Sequence, residues 1–350
     1  MEKELDALGS IRVKYSDLNF YEKSKHGWIL SKKDFPHVRE LIRLFKSHKN
    51  IKLLRDTKNS EFLKGSILHD GKIVGARINI LPNGKVVDKA YSIFAKNLTI
   101  HDETSHSHWD VMFQNPGGTY CHLYTLEKKS SKAKEKYRKV DLFGKKYKLL
   151  NRNLMKALYD KEDEYAIPMY TLLKTYMRVG NETYYNANGH KGLTTITKKD
   201  ISIKGDTVTF NYLAKNGVPM TIRENFPSAY IKRIKDRLKK IKEGSFVFAN
   251  HDGSPLKDTY FMQAFEKYCG EKFYPHIVRS YYATKTANEF IKAHKSATKK
   301  EVNQLFDSIA EKLGHKRFDK KQNQWKDSHS VTVHYYLDPK TFQRVNNLIK

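Results

Sequence analysis

A basic run almost without apolar side chains, residues 127–139, constrains more than any other feature how this chain can fold. Such a run is typical of a solvated linker, and its charge would also suit a hinge that lies along a polyanion. At 350 residues the chain is long enough for two domains, each with its own core. We therefore predict a first domain over residues 1–140, which ends in a basic linker over 127–140, and a second domain over 141–350.

The charge balance predicts a polyanionic partner. The chain has 66 Lys and Arg against 38 Asp and Glu, a formal net charge of +28. Nucleic acid is the first candidate, because each phosphate that a protein contacts releases condensed counterions. A membrane is not expected, since no apolar run approaches the ~20 residues that a span needs and no signal-peptide core is seen. We expect an intracellular protein that is not secreted.

Cysteine usage excludes two kinds of stabilising site. Cys121 and Cys269 are the only cysteines of the sequence. Two cysteines are too few for a disulfide framework or for a zinc site built from cysteines. We predict no bound metal and no cofactor.

The N-terminal half has mainly strand and turn signals. One helix is predicted over 38–45, where apolar residues recur at three- and four-residue spacing. From residue 66 to 124, runs of Ile and Val alternate with dipeptides that are typical of hairpin turns, Asp70-Gly71 and Asn83-Gly84. We predict a mostly β domain with one or two helices.

One polar cluster in this half contains residue types that bind metals: His101, Asp102, His106, His108 and Asp110. Its spacing matches no metal motif well, and polar residues in a loop or at a strand edge give the simpler interpretation. A function for the cluster is left open.

The C-terminal half is predicted to be mainly helical, with helices over residues 154–177, 227–243, 281–293 and 300–313. The run 193–196, Leu-Thr-Thr-Ile, is predicted as a strand. Alternating apolar residues over 201–222, interrupted at Lys204-Gly205-Asp206 and Lys215-Asn216-Gly217, predict a three-stranded meander with Lys215 at the tip of its second hairpin. The fold class is therefore α+β.

The same half contains the residue types that cleave a phosphodiester without a metal. That reaction needs a nucleophile, fixed cations that hold the non-bridging oxygens, and an acid for the leaving oxygen. In chain order the sequence offers Arg178 at a helix end, Lys215 on a turn, His276 and Arg279 close together, His315 after a helix, and Tyr336 near the end.

Residues 150–350 resemble the catalytic domain of type IB DNA topoisomerases, whose fold is shared with tyrosine recombinases. The resemblance rests on Arg-Val-Gly-Asn-Glu at 178–182, Gly-Leu-Thr-Thr at 192–195, Arg-Ser-Tyr at 279–281, Gly-His at 314–315 and Tyr-Leu-Asp-Pro at 336–339. The first two motifs are specific to the topoisomerase branch, whereas the order arginine, histidine, tyrosine fits either branch.

The resemblance implies a role for each residue of the series. Tyr336 would attack the DNA backbone and form a 3′-phosphotyrosyl bond, while Arg178 and Arg279 clamp the scissile phosphate. His315 would donate to a non-bridging oxygen, and its place after a helix C-terminus favours a protonated or strongly donating imidazole. Lys215 would be the general acid for the leaving 5′-oxygen. Relaxation of supercoiled duplex DNA would then need neither ATP nor a metal.

The resemblance also implies a partner and further contacts. The partner would be double-stranded DNA. No motif of the N-terminal half supports the resemblance, and only its charge and position suggest the hypothesis that it closes over the opposite face of the duplex, so that a monomer forms a clamp. Further DNA contacts are expected from the following residues: Asn181, Lys191, Thr194, His276, Tyr281 and Tyr335.

Two departures from the family pattern leave alternatives open. His276 stands where eukaryotic and viral topoisomerases usually have lysine, as in recombinases, so its role is either a proton relay or a phosphate contact. Tyr335 lies beside Tyr336 and is the alternative nucleophile, although alignment on Leu337-Asp338-Pro339 favours Tyr336. The alternative functions are a tyrosine recombinase that exchanges strands at specific sites, and a basic DNA-binding protein without activity.

Overall fold

The computed structural model describes residues 5–75, 78–101, 109–116, 118–319 and 321–350. The chain divides into two compact units, Met1–Glu135 and Lys136–Lys350. Each unit has a hydrophobic core of its own. Among the described residues, no helix is both long enough and apolar enough to cross a bilayer.

The N-terminal unit is built mainly from short antiparallel strands. They are β1 (Ile11–Val13), β2 (Phe20–Ser24), β3 (Gly27–Leu30), β4 (Ser66–Ile67), β5 (Ile73–Val74), β6 (Ile78–Ile80), β7 (Val86–Tyr91), β8 (Lys96–Ile100), β9 (Val111–Gln114) and β10 (Tyr120–Leu123). The strand orders are β3-β2-β1-β4-β5, β10-β9-β8 and β6-β7. The predicted β-rich character of this half is confirmed.

Local sequence signals account for several of these elements. The dipeptides Asp70-Gly71 and Asn83-Gly84 form the turns between β4 and β5 and between β6 and β7, and both glycines have positive φ. The predicted helix is α1 (Pro36–Ser47), and a 3-10 turn (Ile51–Leu54) follows it. The helix buries one apolar stripe, Val38, Leu41, Ile42 and Phe45, against the core of the unit.

Most of the polar cluster in this unit, residues 102–108, lies outside the described residues. Its two ends are described: the His101 amide donates to the Asp110 carbonyl at 2.9 Å, and the Asp110 carboxylate accepts from the Thr125 amide at 2.7 Å and from Lys128 Nζ at 2.9 Å. The bonds to the carboxylate lower the pKa of the Asp110 carboxyl in spite of the opposing effect of burial. Asp110 therefore ties the end of the sheet to the helix that follows.

The basic run 127–139 is helical and belongs to α2 (Leu126–Ala157), and the division between the two units falls inside this helix. Its residues are mostly lysine, glutamate and alanine, which favour a helix even without an apolar face. From residue 140 onward the helix buries Val140, Phe143, Leu150 and Leu154 in the core of the C-terminal unit.

The predicted helical region 154–177 is interrupted between α2 and α3 (Ala166–Thr175). Pro168 lies in the first turn of α3. The amide that proline lacks would have no partner within the helix at that position, so Pro168 is compatible with a helix start and does not break the helix. Helix α3 ends at Tyr176, whose φ of 56° is left-handed.

The remaining elements of the C-terminal unit are mostly helices. They are α4 (Glu182–Asn188), α5 (Ser228–Lys240), α6 (Asp258–Cys269), α7 (Ile277–Ala293), α8 (Lys299–Leu313), α9 (Ser330–Tyr335) and α10 (Pro339–Asn346). The strands are β11 (Ile201–Lys204), β12 (Thr207–Ala214), β13 (Val218–Asn225), β14 (Lys316–Asp319) and β15 (Gln324–Asp327). Strands β11, β12 and β13 form the predicted antiparallel meander, and the α+β fold class is confirmed.

Candidate active site

Arg178 lies on an extended segment directly after α3, and the backbone of residues 192–195 holds this segment. The Leu193 amide donates to the Arg178 carbonyl at 2.8 Å, and the Thr194 amide donates to the Val179 carbonyl at 2.7 Å. The Thr194 hydroxyl donates to the same Val179 carbonyl at 2.8 Å. Residues Leu193–Thr195 form a 3-10 turn, so the predicted strand over 193–196 is wrong. The tertiary contact with the arginine segment decides this local conformation.

Two glycines make that contact possible. Gly180 has a φ of +107°, which side chains of L-residues rarely adopt. A Cβ on Gly192 would lie 2.6 Å from the Arg178 carbonyl oxygen and 2.6 Å from Gly180 Cα. Both contacts are far inside van der Waals distance, and both involve backbone. The motifs 178–182 and 192–195 therefore pack against each other and form one cradle, which fixes the backbone position of Arg178.

Arg279 is 3% exposed on the first turn of α7. Its guanidinium donates to the Tyr176 carbonyl, to the Leu313 carbonyl at 2.7 Å and to His315 Nε2 at 2.9 Å. Its Nε is buried without a hydrogen-bond partner, and no described carboxylate forms an ion pair with this arginine. Burial lowers the pKa of Arg279 to about 10.

His315 follows Gly314, the left-handed residue that ends α8. Because its Nε2 accepts from Arg279, its Nδ1 donates, and the acceptor is the buried hydroxyl of Thr332 at 2.7 Å. Burial, reinforced by Arg279 and Arg178, lowers the pKa of His315 to about 2. In the DNA-free protein the neutral form of His315 is therefore favoured over the protonated form, and its donation to a phosphate stays a prediction. The helix end would favour the charge, but desolvation and two arginines oppose it more strongly.

Tyr336 is 4% exposed directly after α9. Its hydroxyl lies 2.7 Å from His276 Nε2, and Arg178 Nη2 donates to it at 3.4 Å. The guanidinium carbon of Arg279 lies 5.0 Å from the centroid of its ring. Burial raises the pKa of Tyr336, but Arg279 and Arg178 outweigh burial, so the net direction is downward. These contacts favour the phenolate.

Tyr335 has different surroundings from those of its neighbour. Its side chain is 59% exposed, whereas that of Tyr336 is 4% exposed. Of the two tyrosines, only Tyr336 has its hydroxyl against the arginines and the histidine.

His276 lies at the residue before α7, in contact with Tyr336. Burial lowers its pKa to about 3, and Arg279, Arg178, Lys136 and Lys215 add to the effect. A neutral imidazole next to a phenol can accept the proton of that phenol. His276 is thus positioned to act on Tyr336.

Lys215 lies in the turn between β12 and β13, at the tip of the hairpin as predicted. It lines the same small cavity as Arg178 and Arg279, together with Gly314 from the end of α8. Its side chain is exposed, yet its charge reaches His276 strongly enough to contribute to the lowered pKa of that group. The structure thus brings all five predicted catalytic residues, and His276, to one place.

Most of the other predicted DNA contacts have partners inside the protein. Lys191 forms an ion pair with Asp200 at 2.6 Å. Asn181 caps α4 by accepting from the Tyr184 amide at 3.2 Å. The Thr194 hydroxyl is buried in the cradle. Their roles toward DNA, and that of Tyr281, whose ring packs 5.0 Å from that of Phe143, stay predictions.

Three residues that touch this site have no signal in the sequence. Thr332 fixes the tautomer of His315. Lys136 and Tyr137, on α2, contact the backbone on both sides of Tyr336. Thr332, Lys136 and Tyr137 belong to no motif, and the sequence contains many threonines, lysines and tyrosines. Only their tertiary contacts distinguish these three.

A comparison with protein-family models supports the family resemblance. The family model described as "Eukaryotic DNA topoisomerase I, catalytic core" matches residues 125–335. No curated protein matches the chain.

Two solved structures are similar at a low level. The pre-cleavage complex of XerH site-specific recombinase bound to difH substrate aligns with a TM-score of 0.32 and 15% identity over 47% of this chain and 44% of the other. The post-cleavage complex of XerH bound to palindromic difH substrate aligns with a TM-score of 0.34 and 17% identity over 49% of this chain and 48% of the other. The matched part thus spans less than half the length of either recombinase chain.

Proposed function

Because the chain belongs to the family of eukaryotic DNA topoisomerase I catalytic cores, we propose that it is a type IB DNA topoisomerase that relaxes supercoiled duplex DNA by transient cleavage of one strand. The observation that carries this proposal is the convergence of Arg178, Arg279, His276 and His315 around the hydroxyl and ring of the buried Tyr336. A nucleophile flanked by fixed cations and a proton acceptor is the arrangement that phosphoryl transfer needs.

Tyr336 is the proposed nucleophile. Its phenol oxygen forms a bond to phosphorus, and its proton passes to His276 Nε2, which lies 2.7 Å away. Burial and, after it, four cations that face His276 keep its pKa low. A bound phosphate would offset the cations, so DNA binding would raise the basicity of His276.

The proposed cations act on the phosphate oxygens. Arg178 and Arg279 would hold the non-bridging oxygens, for which the fork of a guanidinium is suited. His315 is held between Thr332 and Arg279 with Nε2 as an acceptor, so it can donate through Nε2 only after that nitrogen gains a proton. A phosphate that draws Arg279 away from His315 would free Nε2 for that protonation.

Lys215 is the proposed general acid. The bond between phosphorus and the 5′-oxygen breaks, and the leaving oxygen takes a proton from the Lys215 ammonium at the hairpin tip. Religation reverses both steps after the free strand has swivelled. The bond energy is kept in the phosphotyrosine, so the cycle needs no ATP.

The test of the function is relaxation of supercoiled plasmid in EDTA without ATP. Gradual relaxation, with a denaturation-resistant protein–DNA adduct at a 3′-phosphate, is the expected result. Tyr336→Phe should abolish the adduct while DNA binding persists, and Tyr335→Phe is the matched control that should keep it. An adduct that survives in Tyr336→Phe and is lost in Tyr335→Phe would move the nucleophile.

A separate substrate tests the acid. Lys215→Ala should cleave slowly on ordinary DNA and recover on a 5′-bridging phosphorothiolate, whose sulfur leaves without protonation. Lack of recovery would show that Lys215 is not the acid. Lys204→Ala, in the first hairpin of the same meander, provides the control for loss of a lysine next to a turn.

A tyrosine recombinase is the second candidate, favoured by His276 three residues before Arg279 where topoisomerases usually have lysine. Site-dependent strand exchange without general relaxation in the plasmid assay would decide for it. Failure of both reactions would leave a DNA-binding protein.

We also propose that the protein acts as a monomer that closes around the duplex, with the N-terminal unit as one arm of the clamp. The large net positive charge of +28 supports contact with many phosphates. Deletion of residues 1–140 should then weaken duplex binding and reduce the salt dependence of the affinity. An unchanged affinity and salt slope would exclude the clamp.

A further inference from the structure

The backbone on both sides of Tyr336 is held by one helix that is remote in sequence. Lys136 Nζ, on α2, donates to the Tyr335 carbonyl. The neighbouring Tyr137 hydroxyl donates to the Leu337 carbonyl at 2.6 Å. These bonds join residues that lie 199 and 200 positions apart in the chain.

The helix that precedes Tyr336 is short. Helix α9 has only 6 residues and ends at Tyr335. The amides of Tyr336 and Leu337 share the Thr332 carbonyl as acceptor, at 2.9 and 3.1 Å. A helix of this length is not stable by itself, so its position depends on tertiary contacts. The two bonds from α2 are contacts of that kind.

Lys136 also faces the reacting side chain. Its Nζ lies 5.6 Å from the centroid of the Tyr336 ring, within the range of a cation–π contact. Burial lowers the pKa of Lys136, and the attraction of Tyr336 opposes that shift. The charged and titratable groups that face Tyr336 from the elements around it are Lys136 on α2, Arg178 after α3, His276 and Arg279 at the start of α7, and His315 after α8.

We propose that Lys136 and Tyr137 are positioning residues for the nucleophile: they fix the carbonyls of Tyr335 and Leu337, and the Lys136 charge favours the phenolate of Tyr336. The proposal rests on the proposed function, since it takes Tyr336 as the nucleophile. The Lys136 side chain is half-buried, and among the described residues its ammonium has one hydrogen-bond acceptor, the Tyr335 carbonyl. The contact with the Tyr336 ring gives this partly desolvated charge a second favourable interaction.

The test is single-turnover cleavage of an oligonucleotide duplex by the full-length chain between pH 5.5 and 9.5. The variants are Lys136→Met, Lys136→Arg and Tyr137→Phe. Two exposed residues outside the site give matched controls, Lys145→Met on the same helix and Tyr159→Phe just beyond it. Thermal midpoints and DNA dissociation constants are measured for every variant.

Lys136→Met should lower the cleavage rate by about 10- to 100-fold, because small displacements of a nucleophile have effects of this size. The pH dependence of cleavage should move to higher pH, since the phenol loses one neighbouring cation. Lys136→Arg, which keeps a charged donor, should recover most of the rate and the original pH dependence. Tyr137→Phe should lower the rate by roughly 5-fold without a shift in pH dependence, the effect of losing one hydrogen bond.

Two results would overturn the proposal. One is a rate and pH dependence for Lys136→Met equal to those of Lys145→Met. The other is a loss of rate that Lys136→Arg does not recover and that follows the thermal midpoint, because this would be a loss of folding. If Lys136→Met does not fold, Tyr137→Phe against Tyr159→Phe gives the decision, since it removes a single hydroxyl.

The same experiment separates this proposal from the function on which it rests. If the wild-type chain forms no adduct, or if Tyr336→Phe still forms one, the proposed function fails and the positioning role fails with it. If the wild-type adduct is at Tyr336 and the Lys136 and Tyr137 variants cleave at the wild-type rate, only the positioning role fails.

Discussion

Arg12 in the N-terminal unit and Arg279 in the C-terminal unit are both almost completely buried, at 1% and 3% exposure. Arg12 forms ion pairs with Asp56 and, at 3.4 Å, with Asp6. Arg279 has backbone carbonyls, a histidine and the Tyr336 ring around its guanidinium, and no carboxylate of the described residues pairs with it. Both leave Nε without a hydrogen-bond partner. The difference between them is the countercharge.

That difference separates a structural charge from a functional one. A buried ion that is paired holds its surroundings together, and one that is not paired lowers stability until an anion arrives. The N-terminal unit supplies carboxylates for its buried arginine. The C-terminal unit surrounds Arg279 with groups that orient the guanidinium but carry no negative charge. A bound anion would supply that charge.

Loss of Arg279 should have the largest effect on catalysis. We expect Arg279→Met to lower the rate of adduct formation by about 10⁴-fold, the scale on which a single arginine stabilises a phosphoryl-transfer transition state. The thermal midpoint of the DNA-free protein should change little, because removal of an uncompensated buried charge offsets the loss of the hydrogen bonds to the Tyr176 and Leu313 carbonyls and to His315. Single-turnover cleavage and calorimetry measure the two. A large fall in the midpoint would show that Arg279 is a structural charge like Arg12.

Loss of Arg12 should reverse this pattern. Arg12→Met leaves Asp6 and Asp56 without their cation and should lower the free energy of unfolding by about 3 kcal/mol. Denaturant titration of the full chain, with hydrogen exchange to locate the change, provides the measurement. Adduct formation per folded molecule should remain at the wild-type rate. The double variant Arg12→Met, Asp56→Asn should recover much of the stability. Such a recovery would show that the unpaired carboxylate of Asp56 causes the loss.

A simple anion should bind beside the unpaired buried arginine, Arg279. Sulfate can occupy the place of a phosphate beside Arg178 and Arg279, and should stabilise the wild-type protein by about 2 kcal/mol at a concentration roughly thirty times its Kd. We expect most of this stabilisation to be lost in Arg279→Met and kept in Lys145→Met, which removes a lysine from the surface. Thermal shifts across a sulfate series, at constant ionic strength, give the comparison. Equal shifts in both variants would mean that surface lysines bind the anion.

The smallest expected effect is acid sensitivity from His315. Its folded-state pKa of about 2 lies below the ordinary value of 6.5, so the unfolded chain binds a proton that the folded chain refuses. Stability contributed by the neutral His315 is therefore complete above pH 6.5 and is lost as the pH falls. Between pH 7.5 and 5.5 this loss is about 1.4 kcal/mol. His315→Gln should show a correspondingly smaller change between these pH values, and an identical change would contradict the assignment.

Local patterns predicted those parts of the fold that depend on local physics. The helix predicted over 300–313 is α8, and it buries its apolar residues at three- and four-residue spacing: Val302, Leu305, Phe306, Ile309 and Leu313. The turn Lys215-Asn216-Gly217 closes the second hairpin of the meander, with Asn216 and Gly217 at positive φ. Each of these elements is decided by residues within a few positions of one another.

Long-range contacts explain what the sequence could not predict. The run 193–196 has the composition of a strand, yet backbone bonds to Arg178 and Val179 bend it into a turn. The protonation of His315 depends on burial and on two arginines that are distant in the chain. None of these influences is visible in a window of sequence.

The cradle of Arg178 has a consequence for how this region tolerates substitution. It is built largely from amides and carbonyls, which every amino acid provides, so exchange of the side chains that point away from it should do little harm. At Gly180 and Gly192, in contrast, a single added methyl group meets backbone. The vulnerability of the segment is thus concentrated in the two residues that have no side chain to lose. Saturation mutagenesis of 178–195 should therefore lower activity most at Arg178, which acts on the phosphate, and at Gly180 and Gly192, which take no part in the chemistry.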